Sequence, residues 1–344
     1  MESTVIVVNW RQPDLTRRCL ESLFAQAGPA TEVVLVENEA SPGARAGWES
    51  EFSGLVVVAV PRNLGFAGGV ARGLDVASGD VIVLVNNDAV AGPGFLEIGT
   101  ERLLEGPTEV AAVAATVLLQ GGFRPAAPDD DPEHVLVGNA GARWVRSERG
   151  GTTLINGTGV ELTADGNGHD RDWLVPAPPD GPPAHSEPPF GFSGGAAFIR
   201  RRALDEVGGF DESLFMYYED LDLAWRLRLA GHEIVHAEDA TTIHVHAGSS
   251  SSSGSLVRYQ SMRNRLAVVV RNGSLPMVSR VVARTVGKCV TDLLSTPRQR
   301  QLEPRDWVRL WSEAPRLVVG ALRSRRRDGV GSRDRVRVES LLRR

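Results

Sequence analysis

A mainly parallel α/β sheet flanked by helices, with a helical extension behind it, is the fold class that this 344-residue sequence predicts. Three observations carry that reading. Apolar, β-branched runs alternate with helical patterns through the first 120 residues. Those runs are apolar throughout rather than at every second position, as in strands covered on both faces. The final ninety residues carry helical periodicity alone.

The elements follow in order. Residues 3–9 (STVIVVN) form a strand. A helix starts near Pro13 and ends before Gly28, with Leu15, Cys19, Leu20, Leu23 and Phe24 on one stripe. EVVLVEN (32–38) and LVVVAV (55–60) are strands, GFAGGVARGLDVASG (65–79) is a glycine-rich helix start with a short helix, and DVIVLVNND (80–88) is a fourth strand. Residues 120–190, rich in Gly, Pro and Asp, read as a long irregular region holding one short hairpin in TLINGTGVELTADG (153–166). Regularity returns at FSGGAAFIRRRALDEVGGF (192–210), then a helix (219–231) and a strand (232–237). The serine run near 250–254 is a flexible linker. The expected units are therefore residues 1–250 and a basic, amphipathic helical region, 255–344. In the latter, Arg280, Arg284 and Lys288 share one helix face, and Trp307, Leu310, Trp311 and Leu317 form a second amphipathic stretch suited to a membrane surface or to packing.

Composition narrows the classes. Hydrophobic residues are 42% and charged residues 24%, enough for a core and incompatible with wholesale disorder. Two distant cysteines supply neither a zinc set nor a disulfide framework. No apolar run approaches the roughly 20 residues of a membrane span, and no basic, then apolar leader pattern is visible. A cytoplasmic protein is expected, peripheral at the inner face of the cell membrane. The net charge of −5 conceals 14 arginines against 6 acids from Pro297 onward. A basic tail on an acidic body points to an anionic partner such as a membrane surface. The acidic body argues against nucleic acid.

Four constellations carry chemistry. Asn86, Asn87 and Asp88 end an apolar strand. Asn86 and Asp88 project the same way from extended chain, and their oxygens suit Mn²⁺ or Mg²⁺, although such residues also form plain turns. Glu219, Asp220 and Asp222 crowd the first turn of a helix, where acids complement the macrodipole and where one is placed to act as a general base. His244 and His246 alternate on a strand as a candidate metal pair. RNLGFAGGVARG (62–73) offers close backbone approach to a phosphate at a helix start, with Arg62 and Arg72 nearby, and lacks the Walker ending. The same glycines also permit tight helix–sheet packing.

Together, VIVVNW, VVLVENEASPG, RNLGFAGGVARG, GDVIVLVNNDA, the long segment from GFSGGA to IHVHAGSS, and RYQSMRNRLAVVVRNG resemble the family-2 glycosyltransferases of the GT-A fold. The resemblance is to the bacterial rhamnosyltransferase-like branch and spans about residues 3–273. It implies a Rossmann-like mixed sheet and a nucleotide-sugar pocket made by Asn9, Trp10, Glu37, Asn38, Asn63, Gly65, Arg72, Asn86, Asn87 and Gly194. Glu37 stands where the family usually has Asp, and Asn86 where it usually has the first Asp of a DxD-like motif. Asp88 would be the principal ligand to Mn²⁺ or Mg²⁺, completed by His244 or, with a two-residue slip, His246. Asp220, with Glu219 beside it, would be the acceptor-activating base of an inverting transfer. The implied donor is dTDP-rhamnose, with UDP-sugars next, and the implied acceptor is a glycan or polyprenyl-linked saccharide. The rival readings are a sugar nucleotidyltransferase, disfavoured because no glycine-rich loop follows the first strand, and a non-catalytic nucleotide-binding or membrane scaffold. The oligomeric state stays open.

Overall fold

The computed structural model describes residues 2–139, 141–178, 185, 187–245 and 254–343. Its centre is a nine-stranded sheet, in the order β3-β2-β1-β4-β13-β6-β14-β5, with β10 added to β6. Strands β1 (Ser3–Asn9), β2 (Thr31–Asn38), β3 (Leu55–Val60) and β4 (Val81–Asn86) run parallel. Short β5 (Ala89–Ala91), long β6 (Val110–Leu119), β13 (Ala196–Arg200) and β14 (Glu233–His244) complete the wall, with β13 antiparallel to both its neighbours.

The unbroken apolar runs have a direct cause. Val5, Val7, Val33, Leu35, Val83 and Val85 face one buried cluster, and Ile6, Val34, Val36, Ile82 and Leu84 face the other. On the first face pack α1 (Pro13–Phe24), α2 (Ala44–Glu51) and α4 (Phe95–Leu104), through Cys19, Leu20, Leu23, Trp48, Phe95 and Leu103. On the second lie α3 (Gly65–Leu74), α5 (Arg201–Glu206) and α6 (Glu219–Leu229). Gly69 and Gly73 of α3 set its distance from the sheet: a Cβ there would lie 2.6 Å from Val8 Cγ1 and 2.6 Å from Ile6 Cγ2. Two of the motif's glycines therefore serve helix–sheet packing.

The stretch expected to be irregular is built from short strands. β7 (Gly122–Pro125), β9 (Arg143–Ser147) and β8 (Leu136–Val137) form a small antiparallel sheet over Leu119, Phe123, Leu154 and Leu174. β10 (Ile155–Gly157) joins the main sheet. The hairpin lies later in the chain than expected, between β11 (Val160–Leu162) and β12 (Gly168–Asp170). The apolar 153–157 segment finds a better partner in β6 than in its own neighbour.

Four helices follow: α7 (Ser255–Asn272), α8 (Leu275–Leu294), α9 (Pro304–Asp328) and α10 (Ser332–Glu339). α7, α8 and α10 share a core with α6, where Leu221, Trp225 and Leu229 meet Val268, Val269, Met277, Val281 and Val338, and α9 packs on α7 through Trp307 and Leu310 against Tyr259 and Met262. A buried charge knot reinforces the joint. Asp222, 1% exposed, accepts from Arg226 (2.8 Å), Arg271 (3.3 Å) and Asn272 (2.7 Å). Arg271 also pairs with Asp211 and Asp328.

Many of the basic residues act inside the protein. Arg325 and Arg335 donate to the terminal carbonyls of α7, where a cation offsets the helix dipole. The expected basic stripe of α8 is likewise engaged: Arg280 donates to Ala164 O (3.1 Å), Arg284 pairs with Asp165, and Lys288 pairs with Asp292 (2.9 Å). No helix among the described residues is long and apolar enough to cross a membrane.

Removing one partner of a buried ion cluster leaves unpaired charge, at about 3–5 kcal/mol. Asp222→Ala is expected to lower the unfolding free energy by that amount in urea titration. A loss below about 1 kcal/mol, the value of an exposed pair, would contradict the knot's role.

Candidate active site

In an open parallel sheet, ligands bind beyond the carboxyl ends of the strands where the strand order reverses. Here that point lies between β1 and β4, and the sheet register brings Asn9 beside Glu37 and Val8 beside Asn86. Both oxygens of buried Glu37 are occupied: Asn9 Nδ2 donates to one (2.7 Å) and Trp48 Nε1 to the other (2.7 Å). Asn9 Oδ1 accepts from Asn87 Nδ2 (3.3 Å), which also reaches Thr16 Oγ1 (3.1 Å). Asn38 Oδ1 accepts from Leu64 N–H (2.8 Å), while Asn38 Nδ2 donates to Asn63 Oδ1 (3.1 Å) and Gly65 O (3.0 Å). These side chains shape the entry to α3. Trp10, 37% exposed, donates to Glu39 (2.9 Å) at the rim.

Arg72 is set apart from this group. It stands in the last turn of α3, away from the helix start, and pairs with Asp75 (2.7 Å) and Glu212 (2.8 Å). The sequence placed it near the glycines, but a helix of this length carries its two ends roughly 15 Å apart.

The end of β4 meets the end of β14. Asp88 Oδ1 lies 3.0 Å from His244 Nε2. The other ring nitrogen, Nδ1, lies 2.9 Å from Asn156 Oδ1 on β10. With Nδ1 facing Asn156 Oδ1, Nε2 is turned to the Asp88 carboxylate, so a ring nitrogen and a carboxylate oxygen, both competent metal ligands, converge. Orientation of a histidine by a second hydrogen bond is characteristic of metal ligands. Among the described residues no group of three or more His, Cys, Asp or Glu gathers around a metal-sized point. His246 lies outside the described residues.

Across the cleft, Asp220 opens α6. Gly194 N–H donates to its Oδ2 (3.0 Å) and Leu221 N–H to its Oδ1 (2.7 Å). Gly194 has no room for a side chain, since a Cβ would lie 2.8 Å from Phe66. Gly195 keeps clear of Asn86, whose amide would lie 3.2 Å from an added Cβ. Burial raises the Asp220 carboxyl above its usual range, against the pull of those backbone donors. Glu219 is raised well above its range by burial and then by the charge of Asp220, and its Oε2 has no partner among the described residues.

The turn that presents this pair is held from α7. Phe215, Tyr217 and Tyr218 all have positive φ, at 65°, 67° and 71°, a conformation that costs side-chain-bearing residues about 1–3 kcal/mol each. Fully buried Asn264 donates to the carbonyls of Leu214 (2.7 Å), Met216 (2.9 Å) and Tyr217 (2.7 Å).

Sequence reasoning missed four of these residues. Trp48 sits on a short polar helix with one buried position. Asn156 and Asp170 fell in the region read as irregular. Asn264 was visible only as part of a family motif. Asp170 belongs to the site electrostatically: burial and then the charge of Asp220 push its carboxyl up to about 7, with His244 opposing.

A sheet covered by helices on both faces, with a helical region following it, is the fold of the GT-A glycosyltransferases, and solved structures share that fold. GalNAc-T7 with UDP, GalNAc and Mn²⁺ aligns over 78% of this chain at 13% identity and a TM-score of 0.55, although the chain spans only 48% of that protein's length. Staphylococcus aureus TarS (1–349) aligns over 99% of this chain and 90% of its own, at 16% identity and a TM-score of 0.51. The chain matches two glycosyltransferase family models, "Glycosyl transferase family 2" over residues 4–148 and "Glycosyl transferase family group 2" over residues 184–287. It resembles the rhamnosyltransferase-like branch, being 26% identical over 258 residues to the N-acetylglucosaminyl-diphospho-decaprenol L-rhamnosyltransferase of Mycobacterium tuberculosis, which covers 72% of this chain and 76% of the relative.

The acid cluster has a signature in stability. A carboxyl that holds its proton more tightly when folded favours the fold below its unfolded pKa of about 4, and that contribution is lost as pH rises toward the folded value, here about 7 for Asp170. Asp170→Asn should therefore gain stability relative to the parent protein between about pH 4 and about pH 7, read by urea titration at each pH. A pH-independent difference would show that Asp170 titrates normally.

Proposed function

We propose that the protein is an inverting, divalent-metal-dependent glycosyltransferase. It moves a sugar, foremost rhamnose from dTDP-rhamnose, to a glycan or polyprenyl-linked saccharide acceptor in cell-envelope polysaccharide synthesis. UDP-sugars are the second donor class. The observation that carries the metal-dependent reading is the convergence of Asp88 Oδ1 and His244 Nε2 at 3.0 Å, with Asn156 fixing the far side of the ring.

Each group has a task in this reading. Asn9, Glu37 and Asn38 form the floor of the nucleotide pocket, with Trp10 as an aromatic rim. Glu37 is already held by Asn9 and Trp48, so it shapes the pocket rather than pairing freely with the base. Asp88 and His244 would hold Mn²⁺ or Mg²⁺; when bound, the cation offsets charge that develops on the leaving diphosphate. Asp220 takes the acceptor hydroxyl's proton while that oxygen attacks the anomeric carbon and the bond to the diphosphate breaks. A single displacement from the opposite face inverts the anomeric centre. The raised proton affinity that burial gives Asp220 strengthens it as a base. The decaprenol in the relative's name supports a lipid-linked acceptor.

Such an acceptor places the enzyme at a bilayer, and two exposed faces suit an anionic one. Val282, Val286, Val290 and Leu293 line α8, and Val308, Trp311, Val319 and Leu322 line α9. The two stripes adjoin where Trp311 Nε1 meets Cys289 Sγ (3.4 Å). Exposed Arg305, Arg316 and Arg323 flank the second stripe. Apolar faces beside arginines bind anionic membrane surfaces.

Offered dTDP-, UDP- and GDP-sugars with Mn²⁺ or Mg²⁺, the purified protein should release one nucleoside diphosphate. Asp88→Asn and Asp220→Asn should each cut kcat by about 100-fold or more, and chelator should abolish release. Nucleotide-independent behaviour of a folded protein would sink the transferase reading.

The membrane contact has its own test. A Val290→Glu, Leu293→Glu, Val308→Glu triple variant should reduce co-sedimentation with phosphatidylglycerol vesicles by about threefold or more. Unchanged partitioning would remove these faces from consideration. Deleting the helices is no substitute, because Met277, Val281 and Val338 belong to the shared core.

A further inference from the structure

One carboxylate of the cleft has no task in this scheme. Asp170 ends β12 and pairs across the hairpin with Val160. The hairpin is seated on the start of α6: Gly168 N–H donates to Tyr218 Oη (3.2 Å), and a Cβ on Gly168 would lie 2.8 Å from Leu221. Arg280 and Arg284 of α8 hold its turn. On the other side, a Cβ on Gly157 would lie 3.3 Å from Asp170 Cβ, so β10 abuts it directly. Gly157 follows Asn156, the residue that orients His244. Asp170 is thereby wedged between the His244 wall and the Asp220 helix.

Its chemistry is specific. The neighbouring Arg171 turns the other way and is tied to Thr158. Among the described residues no donor and no cation pairs with the Asp170 carboxylate, though it is half-buried. A partly desolvated acid without a donor is costly and is relieved by a ligand that brings one. The charged groups that act on it are Asp220 and His244. Glu219, 6% exposed, adds another unpartnered oxygen beside Asp220. So acidic a corner repels phosphate and suits a neutral ligand rich in hydroxyl donors.

We propose that Asp170 is a specificity-determining residue of the acceptor subsite, accepting hydrogen bonds from acceptor-sugar hydroxyls adjacent to the one that Asp220 deprotonates. The inference rests on the glycosyltransferase reading above and adds a residue and a ligand class to it.

The test uses the full chain, unaltered and as Asp170→Asn and Asp170→Ala, with Mn²⁺ and the donor that turns over. Two reactions are compared: donor hydrolysis by water, and transfer to an N-acetylglucosaminyl diphosphate bearing a short prenyl chain. Asp170→Ala should raise the acceptor KM by about tenfold or more, as expected for a lost hydrogen bond to a charged group. Donor KM should stay within about twofold, and the acceptor KM of Asp170→Asn should fall between. Equal loss in both reactions, or no change in either, overturns the inference, as does weakened Mn²⁺ binding by calorimetry. A binding arm needs no turnover. Saturation-transfer NMR with methyl N-acetylglucosaminide should show contact with the parent protein and none with Asp170→Ala. Equal signals, or none with the parent, overturn it. Failure of the parent protein to turn over any donor is a separate result and falls on the glycosyltransferase reading itself.

Discussion

Asp222 is the joint on which the rest of the structure depends. It lies two residues beyond the proposed base, on the opposite side of the helix start, and its carboxylate gathers Arg226, Arg271 and Asn272 in a buried site. Burial of charge is costly unless every partner is in place, so the knot fixes one arrangement of α6 against α7. The C-terminal helices are thus part of the site's foundation. Asn264, two turns before Arg271 on α7, extends the same logic by holding three carbonyls of a left-handed turn. Backbone strain at Phe215, Tyr217 and Tyr218 is tolerated in a turn whose Leu214, Met216 and Tyr217 carbonyls are met from another helix.

The cleft itself is arranged against its own electrostatic comfort. Asp170, Glu219 and Asp220 are desolvated, and the charge of Asp220 raises the proton affinity of its two neighbours. Natural proteins carry such costs where a group must bind or move protons. Glycines make the crowding feasible. Gly194 and Gly195 let β13 pass close to Phe66 and Asn86, and Gly157 and Gly168 let the β11–β12 hairpin close on the cleft.

Part of the arginine-rich tail is engaged inside the protein. Fourteen arginines after Pro297 suggest an anionic partner. Arg325 and Arg335 instead cap α7, and Arg300 donates to Asp292 O near the end of α8. The remaining exposed arginines beside the apolar stripe of α9 are the ones available to a membrane surface.

The sheet and its parallel core were legible in the sequence, because a strand covered on both faces must be apolar throughout. The places of Asp88, Asp220 and His244 in the fold were legible too: Asp88 follows β4, Asp220 lies in the first turn of α6 and His244 ends β14. The pairing of Arg72 with Asp75 and Glu212 in the last turn of α3 was not, since one of its partners lies 140 residues away in sequence. Trp48, Asn156, Asp170 and Asn264 were decided by tertiary structure alone. Their contacts span 11, 88, 50 and up to 50 residues of chain, counting for Asp170 the hairpin neighbour Gly168 that reaches Tyr218. Local pattern reports the partner a residue has within one turn or one strand. A hydrogen bond between distant segments exists only once the layers have packed.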